Sequence, residues 1–132
     1  MPRPKSDFPT PAELEALQVL WDGGPSTVRS VMESLEDTRQ GRAYTSVMSL
    51  LDLMYEKKLV TRKRSGRAFV YAARANREKT LGRMVGDLWQ RAFDGSAESL
   101  VAHLLDQADP SPDELRKIRR TIEEHLKQER GR

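Results

Sequence analysis

The side chains with most chemistry to offer are hydroxyls and cations. Thr45, Ser46 and Ser49 lie close together in the chain, and Lys63, Arg64 and Arg67 follow within twenty positions. Hydroxyls donate and accept hydrogen bonds, and cations neutralise phosphates or carboxylates. That is the chemistry of recognition rather than of bond making. No Gly-rich phosphate loop, nucleophile elbow or triad-like set accompanies them. His103 and His125 stand 22 positions apart, and neither has a partner at metal-ligand spacing. The expectation is therefore no enzyme, no metal and no cofactor.

The elements that must carry these residues run from Arg42 to Tyr71. Val47, Leu50, Leu51 and Met54 recur at i, i+3, i+4 and i+7, the buried stripe of a helix from about Tyr44 to Lys57. The opposite face holds Thr45, Ser49, Asp52 and Glu56, flanked by Ser46 and Met48. The pattern then changes period. Leu59–Arg64 and Ala68–Ala72 read as strands, and Ser65-Gly66-Arg67 reads as a tight hairpin tip with Gly66 at positive φ.

From Lys57 to Lys79 there are nine Lys or Arg and one acid, Glu78. A helix followed by a basic hairpin is the layout of a winged helix-turn-helix, with the helix in a DNA major groove and the hairpin along the phosphates. On this reading Thr45, Ser46 and Ser49 meet base edges or nearby phosphates, and Met48 meets a thymine methyl. Arg42, Lys63, Arg64 and Arg67 grip the backbone. The competing reading makes the hairpin a solvated edge, or makes the module a docking domain for an acidic protein.

Upstream, Thr10-Pro11-Ala12-Glu13 is a helix start with a capping box. Leu14, Leu17, Leu20 and Trp21 line that helix until Gly23-Gly24-Pro25. Ser26 is placed to cap a second helix striped by Val28, Val31, Met32 and Leu35. Glu36 to Gly41 reads as a loop, and a brief extra strand near Arg42-Ala43 is expected to complete the sheet. Residues 1–8 form an arm that is either disordered or lends Arg3 and Lys5 to phosphates. Residues 9–75 make the winged domain.

Residues 76–132 change character. Asn76, Ser96 and Ser111 each read as helix caps. The three helices carry the apolar stripes Leu81, Met84, Val85, Leu88 with Trp89, then Leu100, Val101, Leu104, Leu105, then Leu115, Ile118, Ile122, Leu126. From Asp94 to Glu124 eight acids face four bases, so the basic character is confined to the middle of the chain. Single-striped helices need a covering surface. A second copy of the same segment supplies one in a two-fold homodimer; the alternative is a bundle folded back on the first domain. The fold class is mainly α with a small β-hairpin.

The 132-residue chain has a net charge of +3 and no cysteine, which rules out disulfides and thiolate metal sites and fits a cytoplasmic location. No apolar run reaches membrane-spanning length, and no secretory signal follows Met1.

Thr10-Pro-Ala-Glu-Leu-Glu, Val19-Leu-Trp-Asp, Gly24-Pro-Ser-Thr-Val-Arg, Ala43-Tyr-Thr-Ser-Val, Lys58-Leu-Val-Thr-Arg and Gly66-Arg-Ala-Phe-Val-Tyr, in this order, resemble the penicillinase-repressor family of bacterial winged-helix regulators. The resemblance covers nearly the whole chain. It implies a homodimer that binds double-stranded DNA at a palindromic operator and blocks transcription. It maps the recognition-helix start onto Tyr44, Thr45, Ser46, Met48 and Ser49, the wing onto Lys63 to Arg67, and dimerisation onto the C-terminal helices. Antibiotic-responsive members are cut by a regulatory protease at an Asn-Phe bond; the matching bond here is His103-Leu104, a departure from that pattern. Copper-responsive members carry a cysteine cluster that this chain lacks. Asp52 and Leu53 stand where many members are basic, which implies fewer phosphate contacts from mid-helix.

Overall fold

In a computed structural model, residues 8–36 and 43–131 are described. The elements are α1 (Pro11–Gly23), β1 (Ser26–Thr27), α2 (Val28–Glu36), α3 (Tyr44–Glu56), β2 (Val60–Ser65), β3 (Ala68–Ala73), α4 (Arg77–Ala92), α5 (Ala97–Ala108) and α6 (Pro112–Arg130). The chain forms two compact units, and the boundary after Val85 falls within α4. It is mainly helical with one small sheet, and the first unit is a winged helix-turn-helix.

The first unit is built around apolar stripes that meet. Ala16, Leu17 and Leu20 of α1, Val31 and Leu35 of α2, and Val47, Leu51 and Met54 of α3 are buried together with Val60 and Tyr71 of the hairpin. The i, i+3, i+4 spacing of each stripe points it inward, and the intervening polar residues face out. Leu50 lies at the margin of this core rather than inside it.

Capping explains where α1 starts. Thr10 Oγ1 accepts from the Glu13 amide at 3.2 Å, and Glu13 Oε1 accepts from the Thr10 amide at 2.8 Å. Glu13 is fully buried, so its charge needs more than a cap. Lys57, just past the end of α3, supplies an ammonium 2.7 Å from Oε1. This pair ties the first turn of α1 to the exit of α3. Trp21 adds a second tie, with Nε1 donating to the Ala75 carbonyl at 2.9 Å.

The sheet has the order β1-β3-β2 and is antiparallel throughout. Ser65 pairs with Ala68, so Gly66 and Arg67 alone form the turn, with Gly66 at φ 62°. Here the structure corrects the sequence reading. Among the described residues the third strand is Ser26–Thr27, paired with Tyr71 and Val70, and Ala43 belongs to no strand. Ala43 is the residue just before α3, and Arg42 lies outside the described residues. Two β-compatible residues between Pro25 and a helix gave too short a pattern to register as a strand. Ser26 consequently does not cap α2; Thr27 Oγ1 does, accepting from the Ser30 amide at 3.1 Å.

In the remaining helices the expected caps are in place. Asn76, Ser96 and Ser111 each accept from the amide three residues on. No residue of α4, α5 or α6 is buried. No helix among the described residues is long and apolar enough to cross a membrane.

Lys57→Met removes the counter-charge of a buried carboxylate. It is expected to destabilise the first unit by about 2 kcal/mol, whereas the exposed neighbour Lys58→Met changes stability by less than about 0.5 kcal/mol. Urea denaturation of the two variants measures the difference.

Candidate nucleic-acid interface

The start of α3 is open to solvent. Tyr44, Thr45, Ser46, Met48 and Ser49 are all exposed, while Val47, between them, is fully buried. The helix is therefore held from one side and presents the other. Among the described residues no side chain caps it, so its first amide N–H groups face outward at the positive end of the helix dipole.

The hairpin stands beside it. Paired residues on neighbouring strands share a face, so Arg62 with Tyr71 and Arg64 with Phe69 lie on one side of the sheet. Lys63 with Val70 lies on the other. The arginine side meets α3. Asp52 of α3 accepts from Arg62 at 3.2 Å and from the Tyr71 hydroxyl at 3.0 Å. The Arg62 guanidinium also lies over two rings, 4.1 Å from the centroid of Tyr55 and 4.5 Å from that of Phe69. Arg64 reaches the Phe69 ring at 5.7 Å.

These contacts set the local electrostatics. Arg62 is raised above the ordinary guanidinium value by the Tyr71 hydroxyl first, with help from Asp52. Burial pushes the Tyr71 phenol above its ordinary value of 10.0, so it stays a neutral donor.

Helix and hairpin enclose an open groove of about 610 Å³. Tyr44 and Met48 line it from α3, Arg67 and Phe69 from the hairpin, and Arg29 from α2. Of the residues singled out in the sequence, the structure thus brings Tyr44, Met48 and Arg67 around one space. Thr45, Ser46 and Ser49 are exposed on α3 outside that lining, and Lys63 and Arg64 point from opposite faces of the hairpin. Arg29, Asp52 and Arg62 are additions. The strict alternation Arg62, Lys63, Arg64 was the available signal that these cations do not act as one patch.

Of the C-terminal positions, Val85, Leu88, Val101, Leu104, Leu115 and Ile122 are exposed. Leu81, Met84, Trp89, Leu100 and Ile118 are half-buried. His103 and Leu104 sit mid-way along α5 and are exposed, with His103 Nδ1 donating to the Ser99 carbonyl at 2.8 Å and its ring edge-on to Phe93. No group of three or more metal-ligating side chains is present among the described residues.

The sequence pattern that defines the family "Penicillinase repressor" matches residues 9–124. The chain belongs to the penicillinase repressor family. The chain is 36% identical over 101 residues to "Transcriptional regulator BlaI" of Mycobacterium tuberculosis (strain ATCC 25618 / H37Rv), covering 76% of this chain and 71% of that one. It is 25% identical over 114 residues to "Penicillinase repressor" of Bacillus licheniformis, covering 86% and 88%. In fold it is similar to a MarR family protein from Bacillus stearothermophilus, with a TM-score of 0.52, 21% identity and coverage of 93% of this chain and 76% of that one. The relatives are regulators, in keeping with the expectation that the family is not one of enzymes.

The Tyr71 displacement has a pH consequence. The unfolded phenol ionises near pH 10 and the folded one higher, so its contribution to stability is complete below about pH 10 and is lost as the pH climbs through the folded value. Denaturant titrations from about pH 8 to about pH 11 are expected to show a component of alkaline destabilisation in the parent that Tyr71→Phe lacks.

Proposed function

We propose that the protein is a sequence-specific DNA-binding repressor acting as a homodimer on a palindromic operator. Residues 9–75 bind DNA, residues 76–132 dimerise, and residues 1–8 are an arm. The observation that carries this reading is the open groove shared by the exposed start of α3 and the cationic hairpin tip. Membership of a repressor family supports it.

In this mechanism the helix reads and the hairpin holds. Thr45, Ser46 and Ser49 offer hydroxyls to base edges, Tyr44 and Met48 offer apolar surface to thymine methyls, and the uncapped helix start accepts a phosphate. Arg67, at the tip, reaches the backbone or a minor groove, and Lys63, Arg64 and Arg42 add phosphate contacts. Asp52 and Glu56 turn phosphates away from the rest of α3, so only its first two turns are inserted.

Dimerisation completes the site. Leu88, Leu104, Ile122 and their neighbours give an apolar surface that a second copy covers, and Trp89 Nε1 is buried without an acceptor among the described residues. Two copies then address half-sites one or two turns apart, about 10 or 20 base pairs. The location that fits this activity is the cytoplasm. Relief of repression by cleavage at His103–Leu104 is not part of the proposal: the bond is helical, and α5 must open before a protease can extend it.

Arg67→Ala is expected to weaken binding to all sequences and lower the salt slope by about 1, whereas Thr45→Ala or Ser46→Ala also changes sequence preference. Gel-shift titration against genomic fragments with footprinting reads both effects. Equal losses on every fragment for all three variants would overturn the assignment of base-reading residues, and binding to an acidic protein with no fragment preference would overturn the DNA reading. Ultracentrifugation is expected to give twice the chain mass, with Leu104→Glu or Ile122→Glu converting it to monomer and cutting operator affinity at least about tenfold. A monomeric parent at micromolar concentration defeats the dimer.

A further inference from the structure

The first unit has a second concavity that the DNA reading leaves unused. It measures about 380 Å³ and lies where the exit of α3, the exit of β3 and the first turns of α4 converge. Lys57, Lys58, Arg74, Lys79 and Arg83 all line it, and among the described residues no carboxylate does. Lys57 is spoken for by Glu13. Among the described residues Lys58, Arg74, Lys79 and Arg83 have no acidic partner. Four like charges around one hollow repel one another, and the fold nevertheless fixes them there. The Leu59 carbonyl accepts from both the Arg74 and Ala75 amides, at 2.9 and 3.1 Å, which holds the Lys58 and Arg74 segments side by side.

The hollow is separate from the reading end of α3. Lys57 and Lys58 follow the last turn of a 13-residue helix, about 20 Å from Tyr44. Asp52 and Glu56 intervene on the exposed face and would repel a backbone that tried to pass both ends. The volume falls at the lower end of the range for small-molecule sites, about 300 to 1,000 Å³. The Phe8 ring forms an apolar wall beside Arg83, whose guanidinium is 5.6 Å from its centroid.

We propose that this cleft binds a small phosphorylated molecule carrying at least two negative charges. Arg74 and Arg83 offer planar forks to phosphate oxygens, and Lys58 and Lys79 offer point charges. Thr80 and Asn76, on the same wall, add hydrogen-bonding groups, and Phe8 packs against the non-phosphate part of the ligand. The bound anion cancels the mutual repulsion of the four cations, and so stabilises the first unit. The site does not depend on the DNA reading, because its ligand is bound in the absence of DNA.

The test uses the full chain with inorganic pyrophosphate as the probe, against sodium chloride at matched ionic strength. Pyrophosphate is expected to raise the thermal midpoint by about 3 °C and to give a saturable calorimetric isotherm of one per chain. Lys79→Gln combined with Arg83→Gln is expected to abolish the shift and leave DNA affinity within about twofold. Both side chains are exposed, and Arg74→Gln serves as an independent variant. Lys63→Gln combined with Arg67→Gln is expected to do the reverse, keeping the pyrophosphate shift while weakening DNA binding. An equal shift from sodium chloride, or an unchanged shift in the cleft variants, overturns the site. So does a loss of DNA affinity in the cleft variants as large as in the hairpin variant, which would make these cations contacts to the DNA backbone.

Discussion

One carboxylate keeps the helix and the hairpin in register. A two-stranded hairpin is at best marginal by itself, so its angle must be set from outside. Two features do this. Tyr71 of the central strand is sunk in the core, and its hydroxyl bonds Asp52 of α3. Arg62, on the outer strand, bonds the same carboxylate oxygen and is stacked on Tyr55 and Phe69. The outer strand is thus fastened by its side chains on the face toward α3, while Lys63 stays free on the other face and Arg67 at the tip. The two-residue β1 closes only the other edge of the sheet. An arginine spent in this way is not available to a phosphate. The proposed division between a reading helix and a holding hairpin follows from this placement. From Tyr44 to Leu51 no charged residue stands on α3, and the cations offered beside it come from the hairpin and from Arg29 of α2.

Most of the architecture was legible because its signals are local and repeated. The stripes of α1, α2 and α3, the capping residues Thr10, Asn76, Ser96 and Ser111, and the glycine at the hairpin tip each rest on a spacing or a φ preference that needs no tertiary knowledge. The misplaced third strand shows the limit. Ser26 and Thr27 are extended because β3 offers them partners more than forty positions away, and no pattern of two residues can announce that. The same holds for the Glu13–Lys57 pair, which joins positions 44 apart. At the interface the residue types were legible and their partners were not. The cations of β2 read as one basic block, yet pairing with Phe69, Val70 and Tyr71 sorts them by face. Asp52 read as a position that lowers phosphate contact from mid-helix, and its bonds to Arg62 and Tyr71 were not legible.

The second unit poses a different constraint, because its helices are well formed but none of their residues is fully buried. Caps and end charges determine where α5 and α6 begin and stop. They do not explain why Leu88, Leu104, Ile122 and Leu126 should stay at the surface, each about half exposed or more. Helices of this length are marginal in water without an apolar face to cover. A unit of 47 residues, Gly86–Arg132, is also small for an independent core. The proposed homodimer answers this constraint, because a self-complementary patch made of the same stripes covers them.

The proposed association bears on recognition through effective concentration rather than through new contacts. On the proposed reading each α3 inserts only its first two turns, a small surface with few hydrogen bonds, and one copy alone would bind DNA weakly. Joining two copies makes the second insertion intramolecular, which multiplies affinity only when the spacing of the half-sites matches the scaffold. On that reading specificity resides partly in the spacing that the C-terminal helices impose, and a change that loosens those helices degrades discrimination without touching a base contact. In the proposed dimer the stability of the second unit and the oligomeric state are linked by mass action, so dilution, partial unfolding and loss of operator binding are one event seen from three sides.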